Sequence, residues 1–104
     1  MVEPAQIEKL VIEALHTVYD PEIPVNIYDL GLIYGVTVEP PGVVTIRMTL
    51  TAAGCPAAQS LPVEVEERTR AVPGVGDVKV DLTFDPPWDQ SRMSEAARLE
   101  LGLF

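Results

Sequence analysis

The single cysteine of this 104-residue chain, Cys55, is its most reactive side chain. It lies in the run Thr51-Ala52-Ala53-Gly54-Cys55-Pro56, between an alternating apolar pattern and a helical one. Pro56 suits the first position of a helix, which puts Cys55 at the N-cap. Unpaired N–H groups and the positive end of the helix dipole stabilise a thiolate there, and the thiolate is the form of cysteine that binds metal. Gly54 would let a bulky ligand approach the backbone.

The pattern leaves open whether Cys55 is a ligand or a small buried side chain, the usual role of a lone cysteine. Other side chains could contribute to a site around it. Asp20, Glu22 and Asp29 follow the first predicted helix, either as carboxylates near the thiolate or as turn-forming and solvated residues. Thr51 could donate a hydrogen bond to a sulfur or satisfy a strand-end carbonyl. Trp88 could exclude water from the site or cover the core beneath the last helix.

Composition narrows the functional classes. The net charge of −9, from 16 acidic and 7 basic residues, argues against binding nucleic acid or an anionic membrane surface. One cysteine and one histidine cannot complete a structural zinc site. No apolar run is long enough to span a membrane, and the first four residues lack the features of a signal peptide. The sequence therefore predicts a cytoplasmic protein.

Hydrophobic periodicity predicts the elements that hold Cys55 in place. The length fits a single domain, residues 1–104. The fold class is α+β, with a small mixed three-stranded sheet, helices on one of its faces and the order αββαβα. The expected elements are a helix over about residues 4–18, strands over about 32–39 and 43–51, a helix over about 56–72, a strand over about 78–84 and a short last helix capped by Ser94.

Three details are specific expectations. Alternation in residues 44–51 puts Thr49 on a polar sheet face, and alternation in residues 78–84 puts Leu82 and Phe84 on the buried face. Pro62, inside the second helix, should kink that helix or make it restart, at a cost of about 3 kcal/mol if nothing compensates. His16 falls opposite the buried side of the first helix and is predicted to be solvated.

Several stretches resemble motifs of the SufT/PaaD-like family of metal–sulfur cluster assembly proteins. They occur in the family's order and cover nearly the whole chain. The first is Asp20-Pro21-Glu22-Ile23-Pro24, which continues to Tyr34. The others are Thr51-x-x-Gly54-Cys55-Pro56, Pro73-Gly74-Val75, Asp85-Pro86-Pro87-Trp88 and residues 93–102.

The resemblance implies a fold like the C-terminal domain of NifU-type scaffolds and a role in maturing iron–sulfur proteins. The family's key cysteine corresponds to Cys55, and residues near its site correspond to Asp20, Glu22, Asp29 and Thr51. The implied cofactor is a transient iron–sulfur cluster. The implied partners are the assembly machinery and client apoproteins, with no nucleic acid and no membrane. A cluster wants about four thiolate-type ligands; one chain offers one, and a homodimer would offer two.

Rival functions stay open. One is an adaptor that binds a client or another assembly factor and holds no iron. Another is a subunit of a phenylacetate-degradation-type oxygenase system, but that branch typically adds a cysteine-rich tail that this sequence does not show. A cysteine-dependent enzyme would need a base near Cys55, and none is evident nearby in the sequence, so we do not expect an enzyme. The alanines of Ala52-Ala53 and Ala57-Ala58 depart from the more polar or bulkier residues of many relatives.

Overall fold

Helices and strands follow one another in the predicted order. The computed structural model describes residues 3–20, 24–51 and 57–102, with the side chains of all of these except residues 57–59. The elements are α1 (Pro4–Leu15), β1 (Ile33–Glu39), β2 (Val43–Met48), α2 (Ala57–Arg70), β3 (Asp77–Leu82), a 3-10 turn (Gln90–Arg92) and α3 (Glu95–Leu101). None of the helices in these ranges is long and apolar enough to cross a membrane.

The sheet is mixed, as predicted, with β2 at its centre. β1 pairs with β2 in the antiparallel sense, and β3 pairs with β2 in the parallel sense. The register places Val36 and Val80 on either side of Ile46. Side chains directly opposite one another share a face of the sheet, so Val36, Ile46 and Val80 lie together on the apolar face. α1 packs against β1, and α2 packs against β3 and α1, which closes the core on that side.

The first helix is shorter than its hydrophobic pattern suggests. Its buried stripe is Ile7, Val11 and Leu15, the four-residue spacing of one helix face. The helix ends at Leu15, whereas the prediction extended it to residue 18. Val18 is nevertheless fully buried, because the chain beyond the helix still runs across the core. A buried residue three positions after Leu15 fits the helical spacing whether or not the chain is still helical there, so the sequence could not show where the helix ends.

The alternation predicted for the second strand is wrong at its end. Met48, Thr49 and Leu50 are all buried, and β2 ends at Met48. The Thr49 N–H donates to the Leu32 carbonyl oxygen at 2.8 Å, next to an irregularity of the β1–β2 register between residues 33 and 35. This shift of pairing brings the Thr49 side chain into the interior, away from the polar face.

The burial predicted for the end of the third strand is also wrong. Val78 is buried, but Leu82 is 40% exposed and Phe84 is 42% exposed. β3 ends at Leu82, so Phe84 lies beyond the strand. β3 is also an edge strand with β2 on one side only. Among the described residues, the packing that buries Val78 does not extend to this end of the strand.

The second helix continues through Pro62 and does not restart there. Leu61 and Val65, on either side of the proline, are buried. Thr69 is buried too, and its hydroxyl donates to the Val65 carbonyl at 2.7 Å, which offsets the cost of placing a polar group in the core. Tertiary packing of this apolar side stabilises the helix in spite of the donor that Pro62 lacks.

The last helix has the predicted ends. The Ser94 hydroxyl accepts a hydrogen bond from the Ala97 N–H at 3.1 Å, which is N-cap geometry. Gly102 ends the helix in the left-handed conformation, with φ of 71°. Ala97 and Met93 reach the core cluster, so the C-terminal region packs on the same core as the sheet.

Candidate functional site

The predicted site is described on both sides of Cys55. Thr51 is half-buried just beyond β2, and α2 is described from Ala57 onward. Cys55 itself, Gly54 and Glu22 lie outside the described residues, so the N-cap position of Cys55 stays a prediction. The segment that carries the cysteine connects the end of the central strand with the start of a core helix.

Asp29 is built into a tight turn. Its backbone N–H donates to Asn26 Oδ1 at 2.9 Å, and its Oδ2 accepts from Asn26 Nδ2 at 2.8 Å. The Leu30 N–H also donates to the Asn26 carbonyl at 3.0 Å. Asp29 therefore has the turn-forming role. Its second carboxylate oxygen, Oδ1, remains available and faces a histidine.

That histidine is His16, which the sequence placed in solvent. Its Nδ1 lies 2.8 Å from the Ile12 carbonyl oxygen, and its Nε2 lies 4.0 Å from Asp29 Oδ1. Its ring also packs on Tyr28, with centroids 4.6 Å apart. The side chain is 40% exposed, so it is partly solvated as predicted, but it also contacts Tyr28 and Asp29. Tyr28 and Asp29 therefore lie beside the C-terminal end of α1.

Asp20 is buried, with 4% of its surface exposed. Carboxylates are among the side chains least often buried, because removing a charge from water is costly. The Asp20 N–H donates to the Val25 carbonyl at 3.4 Å, and the neighbouring Tyr19 pairs with Asn26. These contacts join residues 19–20 to residues 25–26, so Asp20 lies where the two ends of this loop meet.

Trp88 joins two distant segments. Its indole Nε1–H donates to the Leu30 carbonyl at 2.6 Å, and its ring packs against the core cluster. The Ser94 N–H also donates to the Asp29 carbonyl at 2.8 Å. Trp88 therefore covers the core, and it also ties the segment after β3 to the turn that holds Asp29. Of the predicted site residues, the structure thus brings Trp88 into contact with the turn that holds Asp29.

Thr49 is a residue that sequence reasoning missed. It is fully buried, and its hydroxyl has no hydrogen-bond partner among the described residues. An unsatisfied buried polar group typically costs about 1–3 kcal/mol, and such groups are uncommon. Its position two residues before Thr51 could have marked Thr49 as a neighbour of the Cys55 segment, but the alternating pattern placed its side chain on the opposite, polar face of the sheet.

The described side chains do not by themselves form a metal site. No group of three or more histidine, cysteine or acidic residues that could hold an ion occurs in residues 3–20, 24–51 and 60–102. His16 and Asp29 are close together, but they are only two groups. A metal held at this end of the molecule would need further ligands.

Comparison with known proteins shows the family. Residues 8–82 match the family described as "Iron-sulfur cluster assembly protein". The chain belongs to this family. The match begins in α1 and ends at the last residue of β3, so it includes both the sheet and the Cys55 segment. The SufT-like resemblance read from the motifs is confirmed.

Members and neighbours of the family agree with this. The chain is 56% identical to the "Fe-S protein maturation auxiliary factor" of Porphyromonas gingivalis, over 93% of this chain and 92% of the relative. It is 38% identical to the "Fe-S protein maturation auxiliary factor SufT" of Staphylococcus aureus, over 83% and 98%. A solved domain of unknown function from Bacillus anthracis superposes with a TM-score of 0.90 at 35% identity, covering 97% of this chain and 96% of that one.

Proposed function

We propose that this protein helps iron–sulfur proteins to mature by holding a cluster transiently through the thiolate of Cys55. The observation that carries the proposal is the 56% identity, over 93% of the chain, to a protein named as an Fe–S protein maturation auxiliary factor. The relative is covered almost completely as well. The family likeness therefore concerns whole chains and not one shared motif.

Ligand counting supports transient binding over storage. Iron–sulfur clusters are held by about four thiolates, and this chain has one cysteine. Two copies of the chain would supply two thiolates, and the remaining ligands would come from a client, a small thiol or a carboxylate. A cluster with so few ligands from its carrier is easily released. The ligand count also suggests a homodimer bridged by the cluster. The lone thiol suggests a cytoplasmic location, where reducing conditions keep such a thiol free.

The described neighbours fit supporting roles in this proposal. Thr51 adjoins the Cys55 segment, and Thr49 carries a hydroxyl with no partner among the described residues. Asp20 and Asp29 belong to a loop that is connected to this strand end through the bond between the Leu32 carbonyl and the Thr49 N–H. We propose that these groups act around the cluster. Iron–sulfur assembly factors and client apoproteins are the partners that such a carrier would serve.

Anaerobic reconstitution with iron and sulfide tests the role of Cys55. The wild-type protein should gain a visible thiolate-to-iron absorption band together with bound iron and sulfide, and Cys55→Ser should lose both. The matched control is the double variant Cys55→Ser with Ser60→Cys, since Ser60 is exposed on α2 and returns one thiol elsewhere. This control should stay colourless. Equal iron binding by Cys55→Ser would show that Cys55 is not the ligand, and full recovery in the double variant would show that iron binding does not require a thiol at position 55.

A further inference from the structure

An open groove of about 720 Å³ lies at the end of the sheet where β1 begins and β2 ends. Arg47 and Arg92 line it, together with Ile33, Tyr34 and Pro86. No carboxylate is among the described residues that line it, although the chain has 16 acidic residues and only 7 basic ones. Two of those seven cations therefore line one shallow surface, and the carboxylate of Asp81, across the sheet from Arg47, is not among the lining residues.

The walls of the groove are held in place before any ligand arrives. The Tyr34 hydroxyl donates to the Pro86 carbonyl at 2.8 Å. The Arg92 guanidinium lies 4.8 Å from the centre of the Tyr34 ring, a cation–π geometry, and Arg92 Nε–H donates to the Pro87 carbonyl at 3.4 Å. These contacts fix Arg92 over the ring while leaving its terminal N–H groups available. A site that is already ordered loses less entropy on binding.

Arg47 is the less restrained of the two cations. It is exposed on the outer face of β2, and its guanidinium forms no hydrogen bond or ion pair with any residue that the structure describes. Its neighbours across the sheet are Gly35 and Asp81. A side chain at Gly35 would meet nothing within 4 Å, so the space beside Arg47 is open. A guanidinium offers five donors in a planar fork that suits carboxylate and phosphate oxygens.

Asp89, an acidic residue on the loop before Arg92, is hydrogen-bonded to Ser91. Asp89 Oδ1 accepts from the Ser91 N–H at 2.8 Å and from the Ser91 hydroxyl. These bonds lower the pKa of Asp89 below its ordinary range, with smaller contributions from Arg92 and Arg98. Asp89 therefore remains charged but forms no ion pair within 4 Å of Arg92. The terminal donors of Arg92 remain available on the groove side.

We propose that this groove binds an oxyanion, the carboxylate or phosphate group of a small ligand. Arg47 and Arg92 donate to its oxygens, and Ile33, Tyr34 and Pro86 contact the rest of the ligand. The site uses neither Cys55 nor a cluster, so it stands independently of the function proposed above. Because both arginines are exposed, each contributes modestly and the expected affinity is weak.

Titration followed by ¹⁵N–¹H correlation spectra tests the proposal, with inorganic phosphate and citrate as probes at constant ionic strength. Wild-type spectra should show saturable shifts centred on residues 31–34 and 91–92. Arg47→Gln and Arg92→Gln should each weaken binding about fivefold, which corresponds to about 1 kcal/mol, the upper range for an exposed ion pair. The matched control is Lys79→Gln, which removes the same charge from the same exposed sheet face and should change affinity less than twofold.

Arg47→Gln is the decisive variant, because the Arg47 guanidinium has no hydrogen bond or ion pair among the described residues whose loss could disturb the fold. Tighter binding of citrate would assign the site to carboxylates, and tighter binding of phosphate would assign it to phosphate groups. Shifts that do not saturate would overturn the proposal. So would a loss of affinity in Lys79→Gln equal to that in Arg47→Gln, since the attraction would then be only the general field of the protein.

Discussion

Replacing Gly31 with alanine should break the close approach of Gly31 to Arg92. This approach joins the turn that holds Asp29 to the groove lined by Arg92. Gly31 has φ of 81°, in the left-handed region that side chains other than glycine rarely adopt. An ideal Cβ built on Gly31 would lie 2.7 Å from the Arg92 carbonyl carbon and 2.8 Å from Arg92 Cβ, and closer still to the carbonyl oxygen. The obstructing carbonyl is backbone, so it cannot swing aside as the end of a side chain can.

The expected loss of stability has two parts. Left-handed backbone costs a residue with a Cβ roughly 1–2 kcal/mol. Forcing the Arg92 backbone away resembles overpacking, which costs about 1–3 kcal/mol. Together these lower the free energy of unfolding by about 2–5 kcal/mol, a large share of the roughly 5–15 kcal/mol available to a domain of ordinary stability.

Urea unfolding followed by circular dichroism measures this loss. At an m-value of about 1.5 kcal/mol per M, the midpoint should fall by about 1–3 M. Gly35→Ala is the matched control, because Gly35 has ordinary φ and an added Cβ meets nothing within 4 Å. It should unfold at or slightly above the wild-type midpoint. A Gly31→Ala midpoint within 0.3 M of the Gly35→Ala midpoint would refute the close approach of Gly31 to Arg92.

Three further variants have defined outcomes. Thr49→Val should raise the free energy of unfolding by about 1 kcal/mol in urea, since it replaces a buried hydroxyl that has no partner among the described residues with a methyl group of the same shape. Destabilisation would mean that the hydroxyl has a partner. Ser94→Ala should lower it by about 1 kcal/mol through loss of the bond from the Ala97 N–H, and Ser94→Asp should retain most of it. Ser91→Ala should raise the Asp89 pKa toward its ordinary value of about 3.9, because the Ser91 hydroxyl is the largest cause of its depression. A carboxyl whose pKa is depressed in the folded state stabilises the fold at pH values above its unfolded pKa, and this stabilisation is lost as the pH falls through the folded pKa. The wild type should therefore lose more stability in acid than Ser91→Ala does. An Asp89 pKa, measured by NMR, that is the same in both proteins would contradict this prediction.

Local patterns were enough to predict most of the fold. The four-residue spacing of Ile7, Val11 and Leu15 defines a helix face without reference to any other segment. Alternation in β2 likewise identifies Val44 and Ile46 as core residues, and the structure buries both. The order and type of all six main elements follow from such short-range signals, and so does the cap of the last helix.

The errors occur where a distant segment decides the outcome. Thr49 lies beyond the end of β2, where it is buried and its N–H bonds to the Leu32 carbonyl, and no pattern in β2 reveals this. His16 packs on Tyr28, which lies twelve positions further along the chain. The hydrogen bond of Trp88 joins residues 58 positions apart. The arginine groove was missed for the same reason, since Arg47 and Arg92 come together only in three dimensions.

Transfer of a cluster to an apoprotein tests the proposed function most directly. The reconstituted wild-type protein would be mixed anaerobically with an apo-ferredoxin, and visible circular dichroism would follow the appearance of the holo-ferredoxin signal. Wild type should deliver its cluster faster than iron and sulfide free in solution, and Cys55→Ser prepared in the same way should show no such gain. Equal rates for wild type, Cys55→Ser and free iron with sulfide would contradict a carrier role through Cys55.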